Sequence, residues 1–139
     1  MNFVNSLGMR KHPLFLLFLI LNQIPSYVTI PLKVKKDMYY TYMLRCSDNS
    51  IYTGMTNHLE NRIKEHLLKT KNGAKYTKSH NAIQLEAVWK SKDKSLACKL
   101  EYHLKTLNKK QKEDLISGEK LVTYLKGKVD CRRYQRVNL

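Results

Sequence analysis

The chain has 139 residues, the length of one domain with some additional chain, and 26 lysine and arginine residues stand against 11 aspartate and glutamate residues. The net charge of +15 predicts a polyanionic partner, either nucleic acid or an anionic membrane surface. A hydrophobic share of 42% is ordinary for a chain with a packed core and argues against disorder throughout. The three cysteines form no C-x-x-C pair and no histidine has a cysteine at ligand spacing, which argues against a disulfide framework and a structural zinc site.

The first 37 residues differ in composition from the rest of the chain. A basic cluster precedes the uncharged stretch 14–32, which resembles a signal peptide without a small-residue cleavage site, or a membrane span interrupted by polar residues and prolines. A third interpretation, which we favour, is that translation begins at Met38. We therefore expect a cytoplasmic protein, with membrane attachment or export only if residues 1–37 are genuine and retained.

Two short segments rich in β-forming residues, 39–46 and 51–55, predict a β-hairpin with a polar connection. A three-residue connection places Tyr42 and Tyr52 on one face of the sheet, whereas a two-residue turn places them on opposite faces. The three-residue loop needs a left-handed residue at its third position, and Asn49 tolerates that conformation. Two phenols on one face can form part of a site, or they can simply cover a core.

A helix is predicted after the hairpin, with Asn57 as its N-cap and Glu60 completing a capping box. Its apolar residues recur at helical spacing: Leu59, Ile63 and Leu67. Arg62 and His66 are four residues apart and share a face of this helix, close to the buried stripe. This pair can be functional, or it can be a solvated arginine beside a histidine at the rim of the core.

Residues 69–81 are predicted to form a basic, glycine-containing loop. Closely spaced cations with an aromatic side chain are suited to backbone phosphates and to stacking on bases. The candidate nucleic-acid-binding residues in this loop are Lys69, Lys71, Lys75, Tyr76 and Lys78. The alternative is a lysine-rich loop that is merely solvated. A third strand follows over Gln84–Trp89.

Two further helices are predicted, a long one from the N-cap Asp93 to Leu107 and a shorter one that Asn108 caps and Gly118 stops. Residues 119–139 are predicted to be a basic tail.

Glu101 has an informative position on the long helix. On a helical projection it borders the apolar stripe, so its carboxylate faces any cleft beside the sheet. An ion pair with Lys105 one turn later explains the same position without any function.

Together these residues resemble the GIY-YIG nuclease superfamily, and most of all its small standalone bacterial members. The resemblance covers residues 38–118 and rests on an ordered set of motifs: Tyr40-Thr41-Tyr42, Tyr52-Thr53-Gly54, Arg62, His66, Gly73-Ala74-Lys75-Tyr76-Thr77-Lys78 and Leu100-Glu101. It implies an α/β domain with a small central three-stranded sheet, the N-terminal β-hairpin plus a third strand, flanked by helices. It also implies cleavage of phosphodiester bonds with the help of one divalent metal ion.

The resemblance assigns catalytic roles to Tyr42, Tyr52, Arg62, His66 and Glu101, and implies that Glu101 also binds the metal. The implied cofactor is one Mg²⁺ or Mn²⁺ ion, held mainly together with substrate phosphate, and no small-molecule cofactor is expected. The chemistry is consistent with these residue types. Arginine stabilises charge on the phosphate, and nearby cations favour a tyrosine phenolate that takes a proton from water, with the histidine as a second candidate for that step.

The leading hypothesis is a metal-dependent DNA endonuclease that is structure-selective and connected with repair or recombination. Met55 stands where better-studied nuclease domains of this superfamily often have a lysine. The alternative is therefore a catalytically weak or inactive nucleic-acid-binding module on the same scaffold. A third hypothesis is a membrane-attached or exported nuclease directed by residues 1–37. The expected partner is DNA, bound in a salt-sensitive manner with little sequence choice.

Overall fold

Four strands, five α-helices and one 3₁₀ turn make up residues 38–69 and 75–139, which are the residues that the computed structural model describes. In chain order the elements are β1 (Tyr39–Cys46), β2 (Ile51–Thr56), α1 (Leu59–Leu67), α2 (Lys75–His80), β3 (Ala82–Ser91), α3 (Lys94–Thr106), α4 (Lys109–Ile116), α5 (Leu121–Leu125), the 3₁₀ turn (Cys131–Arg133) and β4 (Gln135–Arg136).

The strands form one antiparallel sheet in the order β2-β1-β3-β4, which confirms the predicted α/β architecture of a small sheet flanked by helices. The predicted sheet has three strands, and the structure adds β4, in which Gln135 and Arg136 pair with Lys90 and Trp89. A strand of two residues has no alternation of polar and apolar positions, so the sequence pattern could not reveal it.

The two faces of the sheet carry separate cores because consecutive strand residues point to opposite sides. On one face Tyr42 and Leu44 pack with the apolar stripe of α1. On the other face Met43 and Trp89 pack with residues of α3, α4 and α5. Tyr42 therefore lies on the same side of the sheet as the helix that carries Arg62 and His66.

The capping predictions have mixed outcomes. The Asp93 side chain caps α3, and Asn108 caps α4 as part of a capping box, as predicted. The prediction that Asn57 caps α1 is wrong: the N-cap is His58, whose side chain makes no capping hydrogen bond. Instead, the backbone N–H of His58 donates to the hydroxyl of Thr56 at 3.0 Å, which satisfies this amide before the helix begins.

Two segments are more ordered than the sequence predicts. The second half of the predicted loop 69–81 contains α2, and its first half, residues 70–74, lies outside the described residues. The predicted basic tail, 119–139, contains α5, the 3₁₀ turn and β4, with Leu125 and Val137 buried in the two cores. Apolar side chains spaced between cations account for this difference, because net charge alone does not show which residues are buried.

Within residues 38–69 and 75–139, no helix is long and apolar enough to cross a membrane. The stretch 14–32 and the proposed start at Met38 both concern residues 1–37, which lie outside the described residues. The cytoplasmic location and its membrane-attached or exported alternatives therefore stay predictions.

Candidate active site

The β-hairpin brings two tyrosines to one face of the sheet. Leu44 pairs with Tyr52 across the hairpin, and the backbone of Asn49 is left-handed, with φ 66°. The three-residue connection is therefore confirmed. The rings of Tyr42 and Tyr52 lie with their centroids 6.3 Å apart.

Gly54 makes room for the ring of Tyr42, its cross-strand neighbour. A Cβ atom at position 54 would lie 2.6 Å from the hydroxyl oxygen of Tyr42 and 3.0 Å from Cε1 of Tyr52. The first of these contacts is far inside van der Waals distance, and Tyr42 has no exposed surface into which it could retreat. The glycine of the Tyr52-Thr53-Gly54 motif is thus explained by the shape of the site.

His66 lies behind Tyr42 and is fully buried. Its Nε2 is 2.7 Å from the Tyr42 hydroxyl, and its Nδ1 is 2.7 Å from the hydroxyl of Thr77, on α2. The alternative of a rim histidine therefore does not describe this side chain. Thr77, also buried, is a site residue that sequence reasoning missed. The one signal that could have found it is its place within the Gly73–Lys78 motif.

The protonation states of this pair follow from burial. Burial raises the pKa of Tyr42 above its usual range and Tyr52 adds to the rise, while hydrogen bonding and charge from Arg62 offset part of it. Burial, followed by the charge of Arg62, lowers the pKa of His66 to about 4. At neutral pH the phenol is therefore protonated and the imidazole is neutral. In the protein without substrate or metal ion, burial outweighs the charge of Arg62 at Tyr42, and the phenol stays protonated.

Arg62, on α1, and Glu101, on α3, both affect the pKa of Tyr42. Arg62 forms an ion pair with Glu65 at 2.7 Å, and its side chain is 27% exposed. The negative charge of Glu101 makes the smallest of the contributions to the pKa of Tyr42 and raises it. Glu101 is 21% exposed and also accepts a hydrogen bond from Lys105 at 2.8 Å, so the ion pair considered as an alternative is present as well.

Glu101 is the candidate metal ligand, and the residues around it restrict which ion can bind. No group of three or more His, Cys, Asp or Glu side chains that could hold a metal occurs within residues 38–69 and 75–139. A lone carboxylate does not suit a resident zinc ion, which takes three or four protein ligands. It does suit Mg²⁺ or Mn²⁺, since Mg²⁺ keeps several of its waters and is commonly held by one or two carboxylates and substrate phosphate.

The structure describes only some of the predicted nucleic-acid-binding residues. Lys69 and Lys75 are exposed, whereas Lys71 and the side chain of Lys78 lie outside the described part of the chain. Tyr76 is 39% exposed, but its ring stacks on His80 with centroids 3.9 Å apart and planes at 4°. One face of the Tyr76 ring is therefore already covered and is not available to a base.

Tyr76 also continues a series of aromatic rings that leads from the interior to the surface. Its centroid lies 5.9 Å from that of Tyr52, which in turn lies 5.1 Å from the ring of His66. The Tyr52 hydroxyl makes no hydrogen bond to any residue that the structure describes, and its ring is partly exposed. Of the two site tyrosines, Tyr52 is thus the one that can meet solvent or substrate directly.

Comparison with known proteins identifies the family. The family model described as the GIY-YIG catalytic domain matches residues 38–114. The UPF0213 protein FN1575 of Fusobacterium nucleatum is 49% identical over 79 residues, which are 57% of this chain and 77% of that protein. A UPF0213 protein of Bacillus cereus is 41% identical over 90 residues, which are 64% of this chain and 92% of the relative.

One solved structure is also similar, the solution NMR structure of the UPF0213 protein BH0048 from Bacillus halodurans. It is 35% identical, covers 67% of this chain and 97% of its own, and superposes with a TM-score of 0.39. The family model spans more than half of the chain and contains all five predicted catalytic residues. The chain therefore belongs to the GIY-YIG family.

Proposed function

We propose that this protein is a metal-dependent DNA endonuclease that hydrolyses phosphodiester bonds. Its GIY-YIG domain implies nuclease-type activity and hence a nucleic-acid substrate, and nucleases of this family are generally metal-dependent. The observation that carries the proposal is the environment of the Tyr42 hydroxyl. His66 is hydrogen-bonded to it, and Arg62 and Glu101 both act on its pKa.

The proton path runs from water through Tyr42 to His66. Phosphodiester hydrolysis needs a water that loses a proton as its oxygen bonds to phosphorus and the bond to the leaving oxygen breaks. A protonated phenol can accept that proton only if it passes on its own, and His66 Nε2 is an acceptor at 2.7 Å. Tyr42 therefore transfers its proton to His66 as it takes one from water, and the leaving oxygen is protonated from solvent.

Tyr52 and Arg62 act on the substrate itself. The Tyr52 hydroxyl donates a hydrogen bond to a phosphate oxygen or to the attacking water. Arg62 exchanges part of its contact with Glu65 for the phosphate and stabilises the charge that develops on the equatorial oxygens. Because Tyr42 has no exposed surface, the proposed step requires its partly exposed neighbours Tyr52 and Arg62 to shift enough to admit water to its hydroxyl.

Glu101 would hold the divalent ion together with substrate phosphate. When bound, the ion supplies positive charge that stabilises the phosphate oxygens and makes water easier to deprotonate. Lys105 competes for the same carboxylate while no ion is present. We therefore expect weak metal binding to the protein alone and tighter binding in the presence of DNA.

The second candidate function is a nucleic-acid-binding module without catalysis. Two observations favour it: Met55 stands where related nuclease domains often carry a lysine, and the carboxylate of Glu101 is already satisfied by Lys105. Both candidates bind DNA, so affinity alone does not separate them, and the deciding measurement is cleavage.

Nicking of supercoiled plasmid tests the proposal. We expect nicking that requires Mg²⁺ or Mn²⁺, is abolished by Glu101→Gln and leaves DNA affinity intact in that variant. Glu60→Gln is the matched control, because Glu60 also pairs with a lysine four residues later, at 2.6 Å, but on the outer part of α1. Equal nicking by the wild type, Glu101→Gln, Arg62→Ala and Tyr52→Phe indicates a contaminating nuclease, and DNA binding without any nicking by the wild type selects the binding module.

Two further variants test the individual roles. Arg62→Ala is expected to lower the cleavage rate by roughly 10²- to 10³-fold, the range found when one donor to a developing oxyanion is removed. Tyr52→Phe removes only the accessible hydroxyl and should lower the rate while leaving the fold unchanged. Comparing a branched DNA junction with a linear duplex under the same conditions tests structure selectivity.

A further inference from the structure

Thr77 lies on the far side of His66 from Tyr42. Its hydroxyl is 2.7 Å from Nδ1, and Thr77 and His66 are 1% and 0% exposed. The two residues are eleven positions apart and come from α2 and α1, so the contact is tertiary and not a consequence of helix geometry. Because it is hydrogen-bonded to Nδ1, this buried hydroxyl influences which ring nitrogen of His66 carries the hydrogen.

A neutral imidazole donates from one ring nitrogen and accepts at the other, and the two hydroxyl groups bonded to the ring, those of Tyr42 and Thr77, together decide which is which. The phenolic hydrogen of the fully buried Tyr42 needs an acceptor, and arginine, which can only donate, cannot provide one. Among the described residues, His66 Nε2 is the acceptor within hydrogen-bond distance. Nε2 therefore carries the lone pair, and Nδ1 carries the hydrogen and donates it to Thr77.

We propose that Thr77 is a positioning residue that holds His66 in the Nδ1–H tautomer, with Nε2 facing the hydroxyl of Tyr42. The tautomer and orientation of the His66 ring depend only on contacts within the folded protein. Their consequence for cleavage rests on the proposed function: when Nε2 takes the proton from Tyr42, the hydrogen bond from Nδ1 to Thr77 persists and stabilises the buried imidazolium.

The ¹⁵N chemical shifts of the His66 ring test the placement, because protonated and unprotonated nitrogens have well separated shifts. In the wild type at neutral pH we expect a protonated Nδ1 and an unprotonated Nε2. Thr77→Val, which keeps the branched shape but removes the hydroxyl, should convert this state to a mixture or to the Nε2–H tautomer. Thr77→Ser, which restores a hydroxyl, should return the wild-type shifts.

Thr41→Val is the matched control for loss of a buried hydroxyl. Thr41 is fully buried, donates to the carbonyl of Ala97 at 3.2 Å and points to the opposite face of the sheet. This variant should lose stability much as Thr77→Val does, yet leave the His66 shifts unchanged. A structural role of Thr77 alone would move stability in both variants and the tautomer in neither.

The same variants are compared in DNA cleavage. We expect Thr77→Val to lower kcat by about 10- to 100-fold, the range known for partners that orient functional histidines in metal sites, with DNA affinity unchanged. Thr77→Ser and Thr41→Val should stay close to the wild type.

The outcomes separate this inference from the proposed function. An Nε2–H tautomer in the wild type, or wild-type shifts in Thr77→Val, overturns the role of Thr77. Should the wild type cleave no DNA while the shifts behave as expected, the proposed function fails and the placement by Thr77 stands.

Discussion

Gly54 and the ring of Tyr42 lie close together in the site. A Cβ atom at position 54 would lie only 2.7 Å from Cζ of Tyr42. β1, which carries Tyr42, cannot move away easily, since it is paired on both sides.

We therefore predict that Gly54→Ala destabilises the protein by about 1–3 kcal/mol, the usual range for overpacking, and displaces the Tyr42 hydroxyl from His66. Urea unfolding measures the first effect and the His66 ring shifts measure the second. Gly118→Ala is a suitable comparison, because Gly118 has φ 111° but an added methyl group there would meet no atom within 4 Å, so that variant adds backbone strain without touching the site. Unchanged stability in Gly54→Ala would show that the sheet yields more readily than its pairing indicates.

The buried imidazole predicts a pH dependence of stability. The pKa of His66 is about 4 in the folded protein and about 6.5 in an unfolded chain. Between these values the unfolded state binds more protons, so the free energy of unfolding falls as the pH is lowered from about 6.5 to about 4. The contribution of this single group is at most about 3 kcal/mol.

His66→Gln should remove that part of the pH dependence, and the difference between the two unfolding profiles isolates it from the other histidines. The profiles are measured by urea unfolding at closely spaced pH values. Parallel profiles for the two proteins would contradict a neutral, buried His66.

At the scale of elements, the hairpin connection decides whether the two tyrosines meet. Asn49 adopts φ 66° and also accepts a hydrogen bond from Arg45 Nη1 at 2.9 Å. We predict that Asn49→Val, with a β-branched side chain in this conformation, costs about 1–2 kcal/mol and weakens the pairing that sets the register. Asn49→Gly relieves the backbone while losing the side-chain hydrogen bond, and should stay within about 1 kcal/mol of the wild type.

Thermal unfolding of the two variants gives the comparison. Destabilisation that is equal in both would assign the role of Asn49 to its contact with Arg45 rather than to its backbone conformation.

The sequence was most informative where a local rule applied. The caps of α3 and α4, and the register of the hairpin, depend on a few neighbouring residues and were predictable from them. The capping pattern at the start of α1 was misleading. It indicated Asn57 as the N-cap, but the N-cap is His58, and Asn57 is exposed. Helix propensity also did not distinguish α2 from a loop, because a helix of six residues is stabilised by its tertiary contacts and not by its own sequence.

The residues of the candidate site were predictable from the sequence, but the hydrogen bonds between them were not. The five catalytic candidates were identified from ordered motifs. The motifs did not show how deeply each side chain is buried, and burial sets the protonation states of Tyr42 and His66. Burial keeps the Tyr42 phenol protonated in the protein without substrate or metal ion, and His66, for which a position at the rim of the core was one alternative, is fully buried. The Thr77 contact is a tertiary contact between α1 and α2, which no spacing rule predicts, so it required the structure.

At the scale of the whole molecule, the C-terminal segment completes both cores of the sheet. Val137 packs in the cluster that contains Tyr42, and its backbone N–H donates to the carbonyl of Val88 at 2.9 Å. On the other face, Tyr134 donates its hydroxyl hydrogen to the carbonyl of Leu96 at 2.8 Å. The family model ends at residue 114, so this closure uses chain beyond the matched domain.

A basic tail and a core segment predict different results for substitutions in residues 119–139. If the segment belongs to the core, Val137→Ala lowers the free energy of unfolding by about 2 kcal/mol, because two methyl groups leave a site that is 2% exposed. Lys128→Gln, at an exposed position of the same segment, should leave stability unchanged, weaken DNA binding and reduce its salt dependence. Urea unfolding and binding titrations at several salt concentrations measure the two effects. A tail that only attracts DNA would differ in the valine variant: Val137→Ala would then leave the free energy of unfolding unchanged, and Lys128→Gln would be the only variant with an effect. We expect the first pattern, because the packing of Val137 against the Tyr42 cluster makes the C-terminal segment part of the structure that holds the site together.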